Sequence, residues 1–598
     1  MARTPAQNQR EQRIKGVGVS YGAALGTAYV IERGALRVPE YVIAPDDVAA
    51  ECARFGAAVA EAQQQLETLQ QKAVQLTGLA AEEFGILLDA HHHMLAGSRL
   101  TRSVRAIIGS EFINSEAAVV QSLDQIEEDF RAIDDPYIAA RITDVREVGT
   151  RLLRNLMGKT ASGFEHVPAG SVIIADEITP ADTALMMDRS RIGGFAAMQG
   201  GAEGHTAIMA RSLGLPSVLG APGLVEDIRT GDFVIIDGEN GMVIVHPTED
   251  TLSHYTGKQA AFAAETAHLA TLRDLPAETL NGEKVTLKAN MELPSELAVL
   301  MGVGAEGVGL LRSEFLFMNR PDLPGEDEQY EILRTILEGL NGTELTVRTL
   351  DVGADKLTPQ FGDIKMSDPN PALGLRAIRF SLKMRGLLEN QLCAILRAAC
   401  HGPVRILLPM ITTCEEVMLV REILVDMMRK LKRRGEDLPE KLPPLGVMIE
   451  VPAAALAADA LAQVSDFFSI GTNDLTMYTL AIDRGNEQVA HLYDPLHLAV
   501  LRLIQFSTEA AKRAGIPVNL CGEIAGDDRY TALLIGLGLR ELSMVPLALP
   551  RIKRRIRGLD SAVVTRLATE IMAMTDARAI ARTLTAFNRD LEQQSTGS

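Results

Sequence analysis

The chain has 598 residues, with 78 acidic against 59 basic side chains and a formal net charge of −19, a balance that argues against nucleic acid or an anionic membrane as its main partner. That length exceeds what one hydrophobic core supports and implies three or four domains. Hydrophobic content of 47% with 4% aromatics and no Trp points to aliphatic cores of helices and parallel sheets rather than sandwiches, and the scattered cysteines Cys52, Cys393, Cys400, Cys414 and Cys521 exclude a disulfide framework or a CxxC zinc site and fit a reducing cytoplasm.

From the start of the chain, Met1 to Gly16 is polar and charged without the apolar stretch of a signal peptide, and no later run reaches the roughly 18 apolar residues needed to span a bilayer. Lys15 to Val30 (KGVGVSYGAALGTAYV) alternates small and apolar residues between glycines, which predicts strands separated by turns. These strands belong to an α/β unit completed much later in the chain. From about Asp46 to Gly158, Ala, Leu, Glu and Gln dominate and apolar residues recur at three- and four-residue spacing, which predicts an inserted bundle of amphipathic helices. Its His91-His92-His93 run is no metal site, because neighbouring helical residues point in different directions.

The α/β pattern resumes at Ala169 to Ala175 and runs through Gly231 to Gly238 and on to Val245. Between these lies Gly200-Gly201-Ala202-Glu203-Gly204-His205-Thr206-Ala207-Ile208-Met209-Ala210-Arg211, a histidine in a glycine-rich loop just before an apolar helical run. Glycines let backbone approach a ligand closely, and the amides at the start of the helix face an anion, so the arrangement suits a histidine that carries a phosphoryl-type group on a compact swivelling unit. Pro247 to Leu275 reads as a polar, alanine-rich helix joining this unit to the remainder.

After about Val285, eight short apolar strand candidates begin near Val285, Gly307, Leu345, Val404, Leu445, Phe467, Val518 and Leu539, each followed by a helical segment. This is the rhythm of a (β/α)8 barrel, whose strand ends converge on one face. Asn290 closes the first strand, Arg312 the second, Arg348 and Asp351 the third, Glu450 the fifth, Asn473 and Asp474 the sixth, and Cys521 the seventh. Singly, such arginines are ordinary surface ion pairs, a buried cysteine is a small hydrophobe, and Gly471-Thr472-Asn473-Asp474 is a helix start. Together they make a site for an anion bound with a divalent metal. Arg312, Arg348 and Arg484 suit carboxylate and phosphate, Glu450 and Asp474 are hard oxygen ligands of the kind Mg²⁺ takes, and Cys521 suits proton donation to a carbanion or enolate.

The His205 loop, Gly307-Val308-Gly309-Leu310-Leu311-Arg312-Ser313-Glu314-Phe315-Leu316-Phe317-Met318, Val347-Arg348-Thr349-Leu350-Asp351-Val352-Gly353, Gly471-Thr472-Asn473-Asp474-Leu475-Thr476 and Cys521-Gly522-Glu523 together resemble the phosphoenolpyruvate-utilising family, and within it the enzyme I branch of the bacterial sugar phosphotransferase system. The likeness runs from about Lys15 to about Arg557. It implies an α/β multidomain chain: strands of a phosphohistidine domain at 1–45, a helical insertion that binds the phosphocarrier HPr at 46–158, the remainder of the swivelling phosphohistidine domain at 159–246, a linker helix at 247–275, and a phosphoenolpyruvate-binding and dimerising (β/α)8 barrel at 276–598. It further implies that His205 takes the phosphoryl group of phosphoenolpyruvate on Nε2, that Thr183 in Ile178-Thr179-Pro180-Ala181-Asp182-Thr183-Ala184 orients its ring, and that Cys521 protonates the enolate to give pyruvate. By the same resemblance Arg312, Arg348, Asn473, Asp474 and Arg484 hold the substrate and Glu450 and Asp474 the Mg²⁺ cofactor. The resemblance places the chain in the cytoplasm as a homodimer, with HPr as receiver and acidic residues such as Glu82 and Glu83 attracting it, and with neither nucleic-acid binding nor membrane insertion.

One departure stands beside the histidine. Members of the enzyme I branch commonly carry an arginine and two hydroxyl residues there, whereas this chain has Ala202, Glu203 and Gly204. The alternatives are a nitrogen-branch enzyme I lacking its sensor domain, a relative of pyruvate phosphate dikinase or phosphoenolpyruvate synthase lacking an ATP-binding domain, and a non-catalytic regulatory scaffold.

Overall fold

The computed structural model describes the chain except for residues 1–9, 21, 32–37, 74–87, 89–90, 93, 96–97, 132–135, 159–166, 179–191, 201–205, 208–209, 211–214, 318–321, 354–369, 371, 484–488 and 597–598. It divides into two compact units, Met1–Glu265 and Thr266–Ser598.

In the first unit an eight-stranded sheet has the order β1-β8-β7-β3-β4-β5-β6-β2, built from Gln12–Lys15 (β1), Val17–Gly18 (β2), Ala23–Ile31 (β3), Ser171–Ala175 (β4), Ile192–Ala197 (β5), Ser217–Leu219 (β6), Phe233–Asp237 (β7) and Met242–Val245 (β8). Strands β3 to β6 run parallel, and β1, β2, β7 and β8 pair antiparallel with their neighbours. The early strands are thus completed by residues 144 to 214 positions later, as the patterning predicts, because β3 pairs with β4 on one side (Ala28 with Val172) and β7 on the other (Ala23 with Asp237). Both faces of β4 are covered: Val172 and Ile174 enter one apolar cluster, Ile173 and Ala175 another. A sheet buried on both faces needs such an unbroken apolar run. Close backbone approach demands glycine at Gly18, where a Cβ would fall 2.1 Å from the Gly238 carbonyl oxygen.

Helices Val48–Ala73, Arg99–Glu111, Ser115–Arg131 and Pro136–Leu156 separate β3 from β4 and share a core of Phe55, Leu66, Val104, Ile108, Val119 and Leu152. Helix Glu249–Thr271 follows β8. Its first half is fastened to the sheet: Tyr255 donates its hydroxyl to Asp237 at 2.9 Å and Lys258 its ammonium at 3.2 Å. Asp237 is only 1% exposed. Burial alone would raise its pKa, but hydrogen bonds from Asn240, Tyr255 and Lys258 outweigh burial and hold it below the usual carboxylate range.

The second unit contains a closed barrel of parallel strands, β10-β11-β12-β13-β14-β15-β16-β9, made of Thr286–Met291 (β9), Gly307–Arg312 (β10), Glu344–Arg348 (β11), Val404–Leu408 (β12), Leu445–Ile449 (β13), Phe468–Ile470 (β14), Val518–Leu520 (β15) and Glu541–Met544 (β16). All eight sequence candidates are strands. Period-two alternation sorts their residues. Leu287, Ala289, Leu345, Val347, Ile406, Val447, Ile449 and Leu542 face the surrounding helices in one large apolar core, while the intervening positions face the interior. At the amino ends of the strands that interior holds a charged floor. Lys288, 4% exposed, bonds Glu344 at 2.6 Å and Glu541 at 2.8 Å, and Arg405 reaches the same two acids while its guanidinium lies 5.1 Å from the Phe467 ring centroid. Above this floor Leu310, Leu407, Met448, Phe467 and Cys521 form a small buried apolar cluster.

Candidate active site

The carboxyl ends of the strands bear a network of arginines and acids. Arg348, the last residue of β11, donates to Glu314 and to Asp351, each at 3.0 Å. Asp351 also accepts from Arg376 at 2.9 Å, and the same Arg376 nitrogen lies 3.4 Å from Asp474. Tyr478 steadies Arg376, its oxygen lying 3.3 Å from Nη1 while its own hydroxyl donates to the Ala372 carbonyl. Arg312, the last residue of β10 and more exposed, pairs with Glu292. Burial acts against charge on Asp351, but Arg348 and Arg376 prevail and lower its pKa. Beside it, burial pushes Glu314 up.

Glu450 stands one residue past β13, 2% exposed, and accepts the Met410 N–H at 2.6 Å. Burial first, then the charges of Asp351 and Asp474, push its pKa well above the ordinary carboxylate value. Oxygens of Asp351, Glu450 and Asp474 lie within 4.8 Å of one another. Three hard oxygen donors this close, with burial and the neighbouring acids acting against charge on Glu450, fit a small divalent ion. Asp351 already holds two arginines, which leaves Glu450 and Asp474 as the donors with capacity to spare. Gly471 preserves the space, since a Cβ there would stand 3.1 Å from a Glu450 oxygen.

Cys521 follows β15 directly and is 4% exposed. Ser469 Oγ donates to its sulfur at 3.2 Å, and burial raises the thiol pKa against that hydrogen bond, so the group stays protonated at neutral pH. The next residue must be glycine, because a Cβ on Gly522 would sit 1.8 Å from Thr472 Oγ1. Beyond it, Glu523 and Asn473 bond reciprocally: Asn473 Nδ2 donates to the Glu523 carboxylate at 2.8 Å and the Glu523 N–H to Asn473 Oδ1 at 3.0 Å.

Family models for the phosphoenolpyruvate-utilising enzymes match along the chain, the N-terminal domain at residues 15–141, the mobile domain at 167–241 and the phosphoenolpyruvate-binding domain at 266–561. A phosphoenolpyruvate-protein phosphotransferase of Cupriavidus necator is 42% identical over 553 residues, covering 91% of this chain and 94% of the relative. The chain belongs to this family. A second phosphoenolpyruvate-protein phosphotransferase, from Geobacillus stearothermophilus, is 39% identical over 571 residues, 96% of this chain and 97% of its own length. A solution structure of enzyme I, 33% identical, spans 42% of this chain and 99% of that chain with a TM-score of 0.37. With the family comes the class of reaction, a transferase.

Among the residues singled out from the sequence, Arg312, Arg348, Glu450, Asp474, Asn473 and Cys521 come together at this one end of the family barrel. Several placements differ in detail: Glu450 and Cys521 stand one residue past β13 and β15, and Asp351 three past β11. Asn473 and Asp474 lie in the first turn of helix Thr472–Leu480 rather than closing β14, which ends at Ile470, and β9 runs one residue past Asn290. His205, Thr183 and Arg484, with Glu82, Glu83 and Glu203, lie outside the described residues. Thr206, next to the histidine, is helical and donates its hydroxyl to the Ile178 carbonyl at 2.8 Å, while Ala207 and Ala210 pack into one face of the sheet. His91 is buried, its Nε2 3.9 Å from Glu147. Asp351, noted in the sequence only as a strand-end acid, emerges as the hub of the ion network. Arg376 had no sequence signal, since it stands in no strand and reaches the site through its own loop.

Proposed function

We infer that the barrel mouth binds phosphoenolpyruvate and that its phosphoryl group passes to Nε2 of His205, with release of pyruvate and onward transfer to an HPr-type phosphocarrier. The observation that carries this reading is the convergence of Arg312, Arg348, Glu450, Asp474 and Cys521, from strand ends and from the helix after β14, onto one end of the barrel. Phosphoryl transfer needs positioning and charge neutralisation more than covalent assistance, and this set supplies both. Arg312 and Arg348, with Arg484 and Asn473, hold the phosphate and carboxylate. Arg312 is free to turn from Glu292 toward an entering anion, whereas Arg348 is set in place by two acids. Glu450 and Asp474 hold Mg²⁺, which when bound withdraws charge from the phosphate and enol oxygens. Cys521, kept protonated by burial, gives its proton to C3 of the enolate. Thr183 fixes the tautomer of His205 through the other ring nitrogen.

The acceptor histidine and the barrel belong to different units, so the cycle requires the histidine loop to visit the barrel and leave it, with helix Glu249–Thr271 as the hinge. The helical segment between β3 and β4 receives a basic HPr-type carrier, the barrel forms the homodimer, and free thiols fit the cytoplasm. Incubation with ³²P-phosphoenolpyruvate and Mg²⁺ tests the reading. Wild type is labelled and passes label to HPr, His205→Ala takes none, and Cys521→Ala releases pyruvate slowly. An unlabelled wild type, or label persisting in His205→Ala, overturns it.

A further inference from the structure

Cys521 is fixed at its backbone as well as at its sulfur. Its N–H pairs with the Ile470 carbonyl of β14 at 3.1 Å, while its own carbonyl accepts Asn290 Nδ2 of β9 at 2.9 Å. Asn290 Oδ1 in turn accepts the hydroxyl of Ser543 on β16 at 2.6 Å. A carbonyl can only accept, so the Asn290 amide must present nitrogen to Cys521 and oxygen to Ser543, and its orientation is determined. Ser543 is fully buried, and the room it occupies exists because β10 carries Gly309, where a Cβ would fall 2.5 Å from Ser543 Oγ. Side chains from two strands, in a space left by a third, therefore hold one peptide group, the one joining Cys521 to the sterically confined Gly522.

We propose that Asn290, seated by Ser543, is a positioning residue for proton transfer from Cys521: it sets the rotation of the Cys521–Gly522 peptide and thereby the single face of the bound enolate that the thiol meets. This rests on the reading of Cys521 as proton donor. In that step the phosphorus–oxygen bond of phosphoenolpyruvate has broken, the phosphoryl group has gone to His205, and the electron pair left on the substrate is that of the pyruvate enolate. This pair forms the new C3–H bond with the thiol proton. The S–H bond breaks, its electrons remain on sulfur as thiolate, and a solvent proton restores the thiol. Asn290 acts through the donor's backbone, bonding the Cys521 carbonyl so that sulfur stands over one side of C3. Without the tether the peptide turns, and because a misplacement of about 1 Å costs on the order of a hundredfold in rate, a partial turn costs about tenfold.

The test reads geometry directly. Full-length wild type, Asn290→Ala, Asn290→Asp, Ser543→Ala and Cys521→Ala are each given (Z)-[3-²H]phosphoenolpyruvate in tritiated water with Mg²⁺ and phosphocarrier, and the configuration of the CHDT methyl group of pyruvate is determined alongside kcat, KM and Tm. Wild type gives one configuration. Cys521→Ala gives racemic methyl, because the enolate takes its proton from water on either face. Asn290→Ala lowers kcat about tenfold with KM within about twofold and yields partly racemic pyruvate. Ser543→Ala shifts both readings in the same direction by less. Asn290→Asp, which keeps volume but turns an acceptor toward the Cys521 carbonyl, behaves like the alanine variant and reports the tether even if Asn290→Ala folds poorly. Full configurational purity in both Asn290 variants, or a kcat loss that only follows Tm, overturns the proposal. A Cys521→Ala enzyme that still makes one configuration instead overturns the role of the thiol, and the Asn290 inference falls with it.

Discussion

The interior of the barrel is charged at both ends, with Lys288, Glu344, Arg405 and Glu541 as its floor and Arg348, Asp351, Glu450 and Asp474 at its mouth. Among the described residues the eight-stranded sheet of the first unit buries one carboxylate, Asp237, and otherwise packs mainly aliphatic side chains with Phe195, Ser171, Ser217 and closely approaching glycine backbone. Both are α/β structures whose strands bury aliphatic side chains, yet the barrel strands also carry Lys288, Asn290, Arg405 and Ser543 into its interior. A closed barrel surrounds a space that only side chains can fill, so charges introduced there must satisfy one another, and where they do not quite do so a ligand completes them. An open sheet has no interior of that kind.

Substitutions at the mouth therefore change chemistry more than stability. Glu450→Gln, or removal of divalent metal by chelation, is expected to lower phosphoryl transfer from phosphoenolpyruvate by roughly a thousandfold or more, measured as ³²P incorporation. The same variant has an unchanged or higher Tm in metal-free buffer. The sign follows from the raised pKa of Glu450: ionisation is disfavoured in the fold, so the charged side chain costs stability as pH rises, and a neutral amide relieves that cost. A lowered Tm would break the contrast between the regions.

Gly522→Ala comes next. Its methyl group would press on Thr472 and turn the Cys521 peptide away from C3, with an expected loss on the order of a hundredfold in kcat and a smaller effect on KM. At the floor the expectation reverses. Lys288→Met leaves Glu344 and Glu541 with Arg405 as their shared cation and Glu541 with the Asn519 amide, and lowers stability by about 2–4 kcal/mol in chemical denaturation, while activity per folded molecule is unchanged.

Asp237→Asn in the first unit should show the smallest effect, a loss of about 1–3 kcal/mol with a distinct pH signature. Because the folded pKa of Asp237 is depressed, the unfolded chain binds the extra proton first. The anchor's contribution is fully present above the ordinary carboxylate value and disappears as pH falls through the lower, folded one. Wild type should therefore lose stability over that acid window more steeply than the asparagine variant, and parallel curves would show that Tyr255 and Lys258 do not depend on the charge.

Much of this organisation was readable from residue order. The eight apolar runs after Val285 are strands because each is short, aliphatic and bounded by turn or helix signals, and Arg312, Arg348, Glu450 and Cys521 were recognisable because a polar residue ending an apolar strand has one destination in a closed barrel, the mouth. Arg376 was invisible, since a loop arginine carries no periodicity. Asn473 and Asp474 stand three and four positions past the end of β14, in the next helix, because Gly471 alone separates that strand from the helix and leaves no loop to mark the change.

Sequence alone thus determined the strand rhythm, the two α/β patterns, the helical insertion and the chemical character of the barrel's rim, since all of these depend on local periodicity and on residue type at element ends. Only tertiary structure decided that Asp351 serves two arginines, that Glu523 occupies the Asn473 amide, and that Asn290 and Ser543 grip the Cys521 peptide. Apart from Arg348, three positions from Asp351, these pairings join residues tens to hundreds of positions apart, and their partners are chosen by barrel closure and strand register, which bring β9 against β16 and set both beside the end of β15.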